Sequence, residues 1–113
     1  KVNESPRVVR STKGKDTQKI KISDSNIKTI KIFVKENGKY DQKKPIYIYE
    51  DGKILKTTAN YIDEKNSNYK DKNNIYLAFK RLSEDCRYLI KVTDKDGNNI
   101  ELTRNKLFLV DKK

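Results

Sequence analysis

Residues 88–100 read Tyr-Leu-Ile-Lys-Val-Thr-Asp-Lys-Asp-Gly-Asn-Asn-Ile, and they constrain the fold more than any other segment. Side chains alternate across a strand, so Tyr88, Ile90 and Val92 share one face. Asp96-Gly97 then supplies the positive φ angles of a tight hairpin turn. A strand that alternates, turns sharply and returns sets the class as all-β.

The same grammar recurs along the chain. Asn37-Gly38 and Asp51-Gly52 are further hairpin signals. Alternating or apolar runs at residues 6–10, 19–22, 27–35, 46–49, 54–58, 75–79, 88–94, 99–103 and 107–110 read as short strands. Ile20 and Ile22 face inward, as do Ile30, Ile32 and Val34, with Phe33 on the opposite face. Ile75, Leu77 and Phe79 share one face. Residues 59–74 read as a long connection crossing between sheets, with a short turn of helix. Turn signals every 8–12 residues or so are the spacing of a sandwich or barrel. The expectation is a β-sandwich of about seven main strands in two antiparallel sheets. The alternative is an OB-like barrel that binds nucleic acid on Lys grooves and aromatic platforms.

Composition supports a single domain. The chain has 113 residues, within the usual range of about 100–150 for one core. Ile, Leu, Val and Phe make up 28 of the 113 residues, above the roughly 20% below which chains stay disordered. Residues 1–5 and 111–113 are expected to be flexible ends. The chain begins at Lys1 and contains no Met, so it is expected to be a piece cut from a longer, multidomain protein. No apolar run reaches transmembrane length, so membrane insertion is not expected. No signal peptide is read either, which says nothing about secretion in a piece of a longer chain.

Charge and chemistry narrow the function. The formal net charge is +11, which attracts polyanions of any kind. The basic groups are mostly Lys spread along the chain, whereas nucleic-acid readers cluster Arg and aromatics. The single cysteine, Cys86, excludes an internal disulfide and lies in phase with Tyr88, Ile90 and Val92. It reads as a small apolar side chain. With no His in the chain, it lacks the partner a nucleophilic Cys needs. The acidic pairs Glu50-Asp51, Asp63-Glu64 and Glu84-Asp85 are adjacent in sequence, so their carboxylates do not converge across a cleft. A non-catalytic protein without a cofactor is expected.

Two binding candidates remain. Asp94 and Asp96, with Asp24, are weak calcium candidates. Aligning Gly97 with the sixth position of an EF-hand loop places Val92 first and Thr103 twelfth, and neither fits. Tyr47 and Tyr49 alternate with Ile46 and Ile48. With the isoleucines inward, the tyrosines form an exposed stripe suited to carbohydrate stacking or a protein interface. Tyr61 and Tyr69, on the long connection, extend this candidate binding set.

Two segments carry a family resemblance. One is Ile20-Lys21-Ile22-Ser23-Asp24-Ser25-Asn26-Ile27-Lys28-Thr29-Ile30-Lys31-Ile32, leading to Glu36-Asn37-Gly38-Lys39. The other is Tyr88-x-Ile90-x-Val92-Thr93-Asp94-x-x-Gly97-Asn98. Together they resemble the bacterial immunoglobulin-like domains of Gram-positive surface and secreted proteins, over roughly residues 6–103. The long 59–74 connection and Asp85-Cys86-Arg87 before the late Tyr depart from that pattern. The resemblance implies an immunoglobulin-like sandwich that acts as a spacer, adhesion or ligand-binding module; an accessory domain of a secreted hydrolase is a further alternative. The implied location is extracellular or wall-associated. The implied partners are neighbouring domains, a host protein, a glycan or an anionic wall polymer.

Overall fold

A computed structural model describes residues 7–10, 17–23, 26–67, 69–71, 74–80 and 87–105. Cys86, Asp24, the run at 107–110 and both expected flexible ends lie outside these residues. The strands are β1 (Arg7–Arg10), β2 (Thr17–Ser23), β3 (Ile27–Glu36), β4 (Lys39–Tyr40), β5 (Tyr47–Glu50), β6 (Lys53–Thr57), β7 (Tyr69–Asp71), β8 (Asn74–Lys80), β9 (Arg87–Asp94) and β10 (Asn99–Asn105). One 3-10 turn, Glu64–Asn66, precedes β7.

All pairings are antiparallel and build two sheets. One runs β1-β2-β8-β7, and the other runs β10-β9-β3-β5-β6 with the short β4 paired to β3. The sheets are open and packed face to face, so an OB-like closed barrel does not form.

The turn residues explain the hairpins. Asn37 and Gly38 have φ of 53° and 83°, and Asp51 and Gly52 have 50° and 88°. Two successive positive φ values make two-residue type I′ turns, whose twist matches the strands they join. The Asp96-Gly97 turn differs, because among its residues only Gly97 is left-handed, at 91°. Gly97 N–H donates to the Asp94 carbonyl at 3.3 Å and Asp94 N–H to the Asn98 carbonyl at 2.9 Å. The loop is therefore three residues long, a type I turn followed by a left-handed glycine.

Between the sheets lies one apolar layer. Ile20 and Ile22 of β2 and Ile75, Leu77 and Phe79 of β8 meet Ile30 and Ile32 of β3 and Tyr88, Ile90 and Val92 of β9. Phe79 and Tyr88 join the two sheets directly, with ring centroids 4.5 Å apart. Tyr61 meets Tyr88 edge-on at 6.4 Å, a favoured aromatic geometry.

The long connection does cross between sheets and contains the expected helical turn. It also contains β7, which was not expected. Where β7 stops, residues 61–67 continue along the edge of β8. Asp63 N–H donates to the Ala78 carbonyl at 2.8 Å and Lys80 N–H to the Tyr61 carbonyl at 2.9 Å. The Ser67 hydroxyl accepts Ala78 N–H at 2.8 Å and donates to the Asp63 carbonyl at 2.7 Å. These bonds satisfy backbone groups that would otherwise be orphaned at a buried position.

The far edge of the larger sheet carries an irregularity. Ile48 pairs with Lys56 and Tyr49 with Ile54, so Leu55 is an extra residue in β6. Ile54 and Leu55 are the exposed large apolar side chains among the described residues.

Candidate functional site

Cross-strand register decides where the tyrosines point. Tyr47 pairs with Ile32 and Tyr49 with Ile30, and directly opposed residues of an antiparallel pair share a face. Ile30 and Ile32 face the core, so Tyr47 and Tyr49 do too, at 0% and 7% exposure. The exposed Tyr47–Tyr49 stripe is therefore corrected: both rings are core, and Ile48 takes the opposite, half-buried face. Tyr61 is half-buried against the same core. Tyr69 lies on β7, opposite Tyr76 of β8. Tyr47, Tyr49 and Tyr61 thus belong to the core and its margin and do not form an exposed surface.

Burial pushes the Tyr47 phenol well above its ordinary value of 10.0, and neighbouring Tyr49 adds to the rise. The unfolded chain then ionises Tyr47 first. Its contribution to stability is complete below about pH 10 and lost as pH climbs beyond that, by about 1.4 kcal/mol per unit. Tyr47→Phe should flatten the fall in unfolding free energy between pH 10 and 12, measured by urea titration. An unchanged slope would show that Tyr47 is not the group responsible.

The two calcium candidates have different surroundings. Asp94 is 1% exposed, and its Oδ1 accepts the backbone N–H of Asp96 at 3.0 Å and of Asn98 at 2.8 Å. Its Oδ2 accepts the Asn98 side-chain amide at 3.2 Å. Asp96 is exposed and accepts the Asn26 amide at 3.3 Å. Among the described residues, no group of three or more Asp, Glu, Cys or His side chains is placed to hold a metal. Asp94 acts as the clasp of the final hairpin.

The outer face of the larger sheet holds a feature that local sequence patterns did not single out. Lys31 of β3 lies directly opposite Lys91 of β9, and Thr29 lies opposite Thr93. Like charges opposed across an antiparallel pair are unfavourable. The next pair, Phe33 and Leu89, is buried to 2% and 4% exposure although it faces away from the core. The segment between β4 and β5 lies over this pair. There Lys44 N–H donates to the Asp41 carbonyl at 3.1 Å and Ile46 N–H to the Ile32 carbonyl at 2.7 Å. Gln42, from this segment, accepts a hydrogen bond from Lys91 Nζ through Oε1. Lys91 Nζ also sits 5.7 Å from the Phe33 ring centre and 3.9 Å from Glu101 Oε2. Lys31 has no ion pair among the described residues. These side chains, with Pro45, line an open depression of about 370 Å³.

Alternation alone places residues 29, 31 and 33 outward, and separately 91 and 93. Their meeting depends on the β3–β9 register, which no local motif encodes.

The order β1-β2-β8-β7 against β10-β9-β3-β5-β6 corresponds to strands A-B-E-D against G-F-C-C′-C″. The protein is an immunoglobulin-like β-sandwich with the variable-type extra pair beside the third strand. Murine CRIg, an immunoglobulin-like domain of solved structure, is similar over 90% of this chain and 94% of its own, with 18% identity and a TM-score of 0.56. No protein-family model matches the chain, and no curated protein matches it.

Proposed function

We propose that the chain is a non-catalytic module of a bacterial cell-surface or secreted protein. It spaces neighbouring domains and presents the outer face of its larger sheet to a ligand. One observation carries the spacer role. Arg7 pairs with Ser23, beside the turn that leads to Ile27. Ile27 in turn pairs with Asp94 at the end of β9. Asn105 pairs with Arg87, at the start of β9. The described chain thus enters at one end of the sandwich and leaves at the other, separated by the length of β9, roughly 24 Å at ~3.4 Å per residue. Modules joined in this way extend head to tail without doubling back.

The resemblance of the 20–39 and 88–98 segments to Gram-positive surface modules supports an extracellular or wall-associated setting. The net charge of +11 favours an anionic wall polymer among the candidate partners. Two copies joined in tandem test the spacer role by small-angle X-ray scattering. The maximum dimension should grow by about one module length over the single copy. A pair that folds back, with little growth in maximum dimension, would overturn it.

A further inference from the structure

We infer that the depression over Lys31 and Lys91 binds a tetrahedral oxyanion, a sulfate or phosphate ester group. This rests on the reading of the larger sheet's outer face as the ligand-facing surface. Lys31 and Lys91 lie opposite one another in the β3–β9 register, an unfavourable like-charge pairing. Glu101, 3.9 Å from Lys91 Nζ, relieves it on the Lys91 side only, leaving Lys31 without an ion pair among the described residues. Thr29 and Thr93, also opposed in register, contribute hydroxyls on one side. Gln42 reaches in from the other side and uses its carbonyl oxygen for Lys91, which leaves its amide nitrogen to donate. The site thus offers five donor groups, and none of the described residues lining it is a carboxylate. An ester oxyanion with three terminal oxygens has the acceptor capacity to use such a set, whereas a carboxylate has fewer acceptors. The buried Phe33 ring and Pro45 form an apolar wall beside Lys91. A volume of about 370 Å³ lies within the usual ~300–1,000 Å³ of small-molecule sites.

The test is a titration followed by backbone amide shifts in about 0.15 M salt, where long-range surface attraction is screened. Glycerol 3-phosphate and glucose 6-sulfate are the two probes and separate a phosphate source from a sulfate source. At least one should give saturable shifts at Thr29, Lys31, Lys91 and Thr93. Lys31→Gln should weaken it about tenfold, since one charged hydrogen bond is lost. Lys53→Gln, which removes the same charge from β6, should leave the affinity unchanged. Lys31→Glu should abolish binding yet raise Tm by roughly 2–5 °C, because it turns a repulsive cross-strand pair into an attractive one. Equal losses in Lys31→Gln and Lys53→Gln would overturn the inference, as would shifts that never saturate or acetate binding as tightly as either ester. Saturable binding of an acidic peptide with neither ester bound would overturn the ligand class. A failed titration leaves the tandem scattering result standing, so the spacer reading fails or survives separately.

Discussion

Tyr47→Ser should lower the unfolding free energy by about 3–5 kcal/mol, the range for truncating a large buried aromatic side chain. Total stability for a domain of this size is about 5–15 kcal/mol, so the variant should show a sharply reduced urea midpoint. The physical cause is specific. Tyr47 is fully buried and opposes Ile32 across the β3–β5 pair, so removing the ring opens a cavity at the centre of the larger sheet. The serine hydroxyl adds a polar group to that cavity, which increases the cost. A change below about 1 kcal/mol would mean that Tyr47 faces solvent. That result would require β5 to pair with β3 one residue out of the described register, because a one-residue slip exchanges the two faces.

Asp94→Ala should cost about 2–4 kcal/mol, which is large for a residue in a turn. The carboxylate serves at least three donors, two of them backbone N–H groups of its own hairpin. Hydrogen bonds to charged groups are worth about 1.5–3 kcal/mol each when considered singly, and bonds that act together are not additive. Asp94→Asn keeps an acceptor oxygen in the same place and should cost clearly less than the alanine variant. Urea titrations order the three proteins, and amide exchange at residues 96–98 should quicken most in Asp94→Ala. Calcium should not change the Tm of the wild-type protein. A calcium-dependent rise that disappears in Asp94→Ala would make this carboxylate a metal ligand instead of a clasp.

The parts of the fold that were legible in the sequence are those set by single residues and their immediate neighbours. Asn37-Gly38 and Asp51-Gly52 announce their turns because Asn, Asp and Gly tolerate positive φ. Ile20 and Ile22 announce their face because Lys21 separates them, and Ile75, Leu77 and Phe79 theirs because the large aliphatic and aromatic side chains alternate with Tyr76 and the small Ala78. Ile46-Tyr47-Ile48-Tyr49 is ambiguous for a physical reason, since both of its faces are apolar and alternation cannot rank them. The decision comes from Ile30 and Ile32 on the neighbouring strand. Phe33 shows the same limit from the other side. Its outward phase is correct, but its burial comes from a segment that returns over it after the β3–β4 hairpin. The short β7 is polar and gains its strand character from pairing with β8. The candidate ligand face was the least legible part, because Lys31 and Lys91 are 60 positions apart in the sequence and look like ordinary surface lysines until the strands are in register.

The extra residue in β6 has a consequence for crowding. A sheet ending in a flat strand with exposed Ile54 and Leu55 would offer a template for another copy's backbone. The bulge at Leu55 breaks the regular ladder at that edge. Lys53 and Lys56 place positive charge on either side of it. Two such edges brought together would meet with mismatched hydrogen-bonding groups and repelling ammonium groups. Many copies held side by side at high density would therefore stay separate instead of fusing into a continuous sheet.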